Sequence, residues 1–554
     1  MDSSRILLPL DALSTLAGLY FIYHLFWRHF SKQPARAPLA PGPLGWPVVG
    51  NAFRLPQVKH WLTYHRWSKT YGDVLRLTSY GETTIILGSA RAASDLLDRR
   101  GIIYSDRPPS ALAGEIVGWN HGLGYARFSP SASAPIAKPS ATSPYPIYSD
   151  ARFRALRKLF HNTIGPRAST RADLSAMQDR ARGKLLRQLL DAGQLDANGT
   201  DFGDTIRQAS GSLILLLTYG YEVADTGHDP LVQIVEDAMA GFSRASDPDA
   251  FWVDRWPILK YLPPWFPGAT FHKAARRMRH DREQLYDVPF AYVREKLRQD
   301  EASPSIVSDF LSANKSSGEG SSAEEDLIKA AAADFLYASR KTPSSLLSFL
   351  LAMLLYPDVQ RRAQAELDAV LGPPSSDGGC RLPAVSDRDN LPYLSALVKE
   401  VWRWNPSVPL GLAHRVTQDD IYRGFLIPEG ATIYANIWAI LHDEATYPSP
   451  STFQPERFLD ANGKLRPLSK TDDPGWVAFG FGRRICPGMF LAENSVFLYI
   501  ASILYVYDIS KARDVDGSEV EPEVEYTGFI SHPMPFKCRL LPRTKEANEL
   551  ICRY

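Results

Sequence analysis

The run Phe479-Gly480-Phe481-Gly482-Arg483-Arg484-Ile485-Cys486-Pro487-Gly488 carries the residue types best suited to chemistry. Gly482 and Gly488 permit tight backbone turns beside a bulky ligand. Pro487 suits the first position of a helix, where its missing N–H costs nothing. Cys486 would then sit at a helix N-terminus beside Arg483 and Arg484, surroundings that lower a thiol's pKa and favour the thiolate. One thiolate without a nearby cysteine or histidine is poor for structural zinc, which takes four ligands. It suits a haem iron held by a single cysteine. Phe479 can pack against a macrocycle, and a buried arginine can pair with a propionate. The competing reading is a buried structural cysteine ahead of a helix.

Upstream, Glu400 and Arg403 are three apart in Glu400-Val401-Trp402-Arg403 and share a helix face. Many surface helices carry such a pair. The complete pattern F-x-x-G-x-R-x-C-x-G, however, resembles the haem-binding loop of the cytochrome P450 family, and the resemblance runs over essentially the whole chain to Cys538. Glu400 and Arg403 then resemble the family's E-x-x-R pair. With Arg457 of Phe453-Gln454-Pro455-Glu456-Arg457-Phe458, that pair implies a buried ionic cluster bracing the core behind the thiolate. Ala40-Pro41-Gly42-Pro43 with Gly50-Asn51 resembles the family's proline-rich hinge. His414-Arg415 and Thr527-Gly528-Phe529 resemble the fungal microsomal type used in secondary metabolism.

The resemblance implies haem b with Cys486 as axial thiolate and Phe479 against the ring. It also implies propionate contacts from Arg484, His414 and Arg157, with Arg415 in solvent. The family often has a tryptophan and an arginine four apart reaching one propionate. Phe153 stands at the tryptophan position, so Phe153 only packs while Arg157 keeps the contact.

One stretch departs from the pattern. Oxygen-activating members carry a small residue, Gly, an acid and a threonine on a central helix, and the last two relay protons through water. Counted back from Leu354-Leu355-Tyr356-Pro357, the matching stretch is Tyr337-Ala338-Ser339-Arg340-Lys341-Thr342-Pro343. Arg340 and Lys341 replace the acid and the usual threonine, leaving Thr342 as the candidate catalytic hydroxyl. Pro343 should kink the helix. Three readings stay open. The chain is a monooxygenase with an unusual relay, or a haem-thiolate isomerase or dehydratase that does not activate O2. In the third, the sequence is locally wrong or the protein is a degenerate haem binder without turnover.

The leading reading is insertion of one oxygen atom from O2 into a lipophilic small molecule: a terpenoid, steroid or polycyclic aromatic, in secondary metabolism or xenobiotic oxidation. Electrons imply NADPH–cytochrome P450 reductase as partner. Arg152, Arg154, Lys158 and Arg483 offer a basic docking face on the thiolate side. Residues 111–124 and 238–256 are the expected substrate-selecting loops.

The elements that must position these residues are mainly α, with small β-sheets. Hydrophobic residues make up 45% and charged residues 22% of 554, an ordinary globular balance. A net charge of +1 gives no global reason to expect nucleic acid. Four cysteines exclude a disulfide scaffold and suit a reducing compartment. The apolar stretch 6–27 would form a helix of roughly 33 Å, enough to span a bilayer. Arg28, Lys32 and Arg36 follow it, against Arg5 before it. The positive-inside rule then leaves the body cytosolic. The expected organisation is a transmembrane anchor (1–30), a proline-rich hinge (31–51) acting as a stiff spacer, and the catalytic domain (52–554). That places a single-pass protein on the endoplasmic reticulum membrane.

Within the body, 74–77 and 83–87 read as a hairpin. Residues 90–99 have helical spacing, 346–355 is apolar on every face, and 358–371 and 391–404 are helical. A last helix should open at Pro487. Residues 128–147 are Ser/Pro/Ala-rich without periodicity and read as a disordered insert or a gene-model artefact.

Overall fold

The structure is a computed structural model. It describes Gly18 and residues 37–554, apart from 129–149, 197, 225–228, 248–249, 318–321, 339–340 and 375–379. The expected anchor, nearly all of the insert, Ser339 and Arg340 lie outside the described residues. Phe128 does not belong to the insert: it is buried, packs on Phe153 at 5.6 Å, and donates its N–H to Asp106.

The hairpin forms as expected, from β1 (Val74–Ser79) and β2 (Glu82–Leu87). Tyr80 and Gly81 make the two-residue turn, both at positive φ, which matches the right-handed twist of the strands. Two later strands, β3 (His414–Arg415) and β4 (Thr432–Ala435), complete one sheet in the order β1-β2-β4-β3. β2 and β4 run parallel, so the chain's first and last thirds meet here. Residues 37–51 are not a free spacer. Pro41 and Pro38 carbonyls accept from Arg76 and Leu426, and the Asn51 amide donates to Pro43 O. The strap therefore packs on the domain as part of it.

The helical body contains α1 (Asp150–Ile164), α2 (Ala172–Leu195), α3 (Gly203–Tyr219) and α4 (Phe271–Arg298). Then come α5 (Ser322–Ala338), α6 (Lys341–Leu355), α7 (Pro357–Leu371) and α8 (Pro392–Trp404). The central helix is thus described on both sides of 339–340. Pro343 lies on α6, and the expected kink, which turns on the carbonyl of Ser339, falls outside the described residues.

The core is built on α9 (Met489–Val506), nearly all of whose residues are buried against α2, α6, α7 and α8. Among the described residues α9 alone has the length and apolarity to cross a membrane, and its burial marks it as a core helix. It begins two residues later than expected, with Gly488 as its N-cap, and it is not the last: α10 (Lys545–Arg553) follows.

Candidate active site

The cysteine loop is a strained turn held from outside. Gly482 adopts φ +57°, and a Cβ there would lie 2.0 Å from the Leu97 carbonyl oxygen. Its N–H donates to Asp98. Only glycine meets both demands. Gly482–Arg484 forms one 3-10 turn, and the Cys486 N–H donates to Phe479 O at 2.9 Å, closing the loop on itself. Cys486 precedes the N-cap of α9 by two residues, so it approaches the helix end without being its first residue. Phe479 meets Trp402 edge-on at 5.5 Å.

Behind the loop, Glu400 is fully buried on α8. It accepts from Arg403 Nε at 2.7 Å and Nη2 at 2.9 Å, from Gln454 N at 2.7 Å and from Arg457 Nε at 3.2 Å. Arg403, equally buried, also donates to the carbonyls of Leu441 and Thr452. The three expected residues therefore form one cluster, with almost every donor matched, as burial of charge requires. From the same helix, Lys399 grips Asp473 at 2.8 Å. Asp473 in turn accepts from Gly475 N, seven residues before the turn at Gly482.

Cys486, Phe479, Arg484, His414, Arg157 and Thr342 all line one cavity of about 1760 Å³, counting its mouth. It is a deep cleft that gathers residues from the cysteine loop, α1, α5 and the start of α6 around one space. Cys380, Cys538 and Cys552 lie elsewhere. Among the described residues no group of three or more His, Cys, Asp or Glu could hold a metal, so the cavity offers a single thiol.

The cavity wall is strongly cationic. Arg484 donates to three carbonyls, of Ser105, Leu123 and Ala126, and its guanidinium lies 4.2 Å over the Phe153 ring. Phe153 therefore does more than fill space: it stacks on the arginine. Arg157 donates to Ile485 O at 2.6 Å, next to Cys486. His414 Nδ1 faces Tyr104 O at 2.8 Å. Burial, then the charge of neighbouring Arg107, pushes both Arg484 and His414 well below their ordinary pKa. Asp106 is committed to Arg127 and Arg415, so Arg415 is paired rather than solvated. A wall with this excess of cations is suited to the two carboxylates of haem.

Two lining residues carried no signal in the sequence. Arg107, in Ser105-Asp106-Arg107-Pro108, reaches the carbonyls of Gly124, Leu412 and Ala413. Asp334 is the one carboxyl among the described residues on this wall. Conversely, Arg152 leaves the expected basic face. It turns toward the carbonyls of His121 and Asp326, while Arg154, Lys158 and Arg483 stay exposed.

Comparison with known proteins agrees with this geometry. The family model "Cytochrome P450" matches residues 146–540. Cytochrome P450 monooxygenase 208 of Postia placenta is 41% identical over 99% of this chain and 98% of its own length. Cytochrome P450 monooxygenase claR of Ampulloclitocybe clavipes is 38% identical over 93% of this chain and 88% of its own. Tryptamine 4-monooxygenase of Psilocybe cyanescens is 35% identical over 93% and 95%. A lone thiol in a cationic cavity and similarity along nearly the whole chain lead to one conclusion: the chain belongs to the cytochrome P450 family, oxidoreductases that carry haem on a cysteine thiolate.

Proposed function

We propose that this chain is a microsomal monooxygenase of fungal type, inserting one oxygen atom from O2 into a lipophilic small molecule of terpenoid, steroid or polycyclic aromatic type. The observation that carries the reading is Cys486 facing a cavity whose wall presents Arg484, Arg157, Arg107 and His414. Cys486 Sγ would ligate the iron, Phe479 would lie against the ring, and the four cationic or imidazole side chains would hold the propionates. When bound, the haem supplies dioxygen activation, with thiolate electron density favouring O–O cleavage. The protein's own part is positioning. The Glu400–Arg403–Arg457 cluster fixes α8 behind the loop, and the apolar wall formed by Phe335, Val408 and Leu410 keeps water from the substrate. Thr342 lines that wall, and its Oγ1 would hold a water and hand on a proton.

Electrons would come from NADPH–cytochrome P450 reductase, docking on exposed Arg154, Lys158 and Arg483. Anchoring in the endoplasmic reticulum membrane by 1–30, with the domain cytosolic, is supported by exposed apolar side chains that converge around Tyr80. Leu44, Trp46, Val48 and Phe53 lie on a strap bridged through Gly50 to Ser79. From the other side, Tyr80 meets Trp252 at 6.4 Å and Trp256 at 5.6 Å, and exposed Ile258, Tyr261 and Trp265 follow in the chain. An apolar patch of this kind suits a lipid surface.

The test is a carbon monoxide difference spectrum of the reduced full chain, followed by turnover with reductase under labelled dioxygen. A long-wavelength Soret band that disappears in Cys486→Ser, and product carrying one labelled oxygen, are expected. Absence of the band overturns the cysteine assignment. A band with product formed without dioxygen overturns the monooxygenase reading in favour of isomerisation or dehydration.

A further inference from the structure

Asp334 is an acid on an otherwise apolar stretch of cavity wall. Its neighbours on α5 include Ala330, Ala331, Ala332, Ala333, Phe335 and Leu336, all buried. The residue is 8% exposed and lines the cavity together with Phe335 and Thr342. One oxygen, Oδ2, accepts the Leu123 N–H at 2.6 Å. The other, Oδ1, accepts no hydrogen bond from any described residue, and it packs so closely on Gly122 that a Cβ there would lie 2.2 Å away. A side chain at residue 122 would push the carboxyl aside. Leu123 also gives its carbonyl to Arg484, so a single residue links Asp334 to the cationic cradle.

The charge around this group narrows what it can take. The charge of Arg152 acts on it, and Tyr286 on α4 feels its field, with Arg282 stacked 4.7 Å over the Tyr286 ring. Three further arginines line the same cavity. A cationic ligand would enter a positive field, whereas a neutral donor would not. A ligand O–H on Oδ1 would make a hydrogen bond to a carboxylate, stronger than one to a neutral acceptor.

Resting on the monooxygenase reading above, we infer that Asp334 is a specificity-determining residue that receives a hydroxyl hydrogen of an already oxygenated lipophilic substrate and so orients the molecule under the cationic cradle. The substrate is then the product of an earlier oxygen-installing reaction. Burial raises the Asp334 pKa to about 7, so its acceptor character grows through neutral pH.

The test uses the haem-loaded full chain and equilibrium dialysis of matched probes: the diterpenoid alcohol dehydroabietinol, its methyl ether, and dehydroabietylamine. At pH 8 the alcohol should bind at least tenfold tighter than the ether, the ratio expected of a hydrogen bond to a carboxylate. The ratio should shrink by pH 6, because a protonated acid can donate to the ether. Asp334→Asn keeps an oxygen for the Leu123 N–H but presents N–H to the cavity, so its ratio should fall to near one at both pH values. The carbon monoxide band should persist, separating this test from the failure of the haem reading. Equal binding of alcohol and ether by the unaltered chain overturns the inference, as does binding of neither. Tighter binding of the amine overturns the neutral-donor class. An undiminished ratio in Asp334→Asn leaves the acid as a loop tie only and also overturns it.

Discussion

Replacing Arg403 by methionine gives the sharpest test of how the cysteine loop is supported. The substitution removes two of the four donors on Glu400, at 2.7 and 2.9 Å, and strands a carboxylate with zero side-chain exposure. Only Gln454 N and Arg457 Nε remain, the latter at a long 3.2 Å. Breaking a buried pair this way costs about 3–5 kcal/mol. Against a whole-protein stability of about 5–15 kcal/mol, that is about a fifth of the total or more. Arg403→Lys keeps the charge but loses the fork, and should cost about half as much. Glu400→Gln with Arg403→Met removes the stranded charge, so the double variant should be more stable than the sum of the singles by about 2 kcal/mol. The assay is urea unfolding of the haem-loaded chain, followed by Soret absorbance and tryptophan fluorescence. Additivity of the two singles within about 0.5 kcal/mol would refute the argument, because it would mean that neither charge depends on the other.

Gly482→Ala should fold but fail to show the thiolate Soret band, since its Cβ would meet Leu97 O at 2.0 Å and backbone cannot yield. Gly480→Ala, with nothing within 4 Å of its Cβ but φ +89°, should lose less. The pH dependence has two opposed parts. Burial depresses His442 and His121 to about 3, so the stability from keeping them neutral is full above about 6.5 and is lost as pH falls toward 3. His442→Asn should flatten the acid limb of a denaturation-versus-pH curve by one proton's worth. Asp334 has the reverse sign: raised from 3.8 to about 7, it favours the fold below about 4 and loses that contribution as pH rises through 7. The difference between the unaltered chain and Asp334→Asn should therefore slope only between those limits.

Local patterns were the most readable part of the chain. The β1–β2 hairpin, the buried α6, and α8 carrying Glu400 and Arg403 on one face all follow from short-range periodicity and turn residues. The thiol, the ionic cluster and the phenylalanine beside the loop were legible because each stands in a fixed spacing. Arg107 and Asp334 were not, because their roles come from segments far away in sequence and from backbone carbonyls and amides, which have no residue identity. Arg152 failed for the same reason. A helix wheel marks it as basic surface, but a carbonyl of residue 121 captures it. The start of α9 moved to Met489 because Pro487 serves the turn that closes the cysteine loop, and Gly488 then caps the helix.

The segment around 97–107 touches Gly482, Arg484, His414 and Asp420, with separations of 305 to 384 residues among its hydrogen bonds. Such contacts close very large loops, and loop closure must be met before they stabilise anything. A chain made from its N-terminus has the hairpin and the early helices available long before Arg484 exists. Until then, Ser105, Leu123 and Ala126 present carbonyls to nothing, and the cradle is open. Assembly of this site is thus a late and all-or-none event, in which a cofactor carrying two carboxylates would act as the template that draws both ends of the chain together. Limiting haem during synthesis should accordingly trap chains with sound helices and an unsealed cradle, rather than a folded protein awaiting its cofactor.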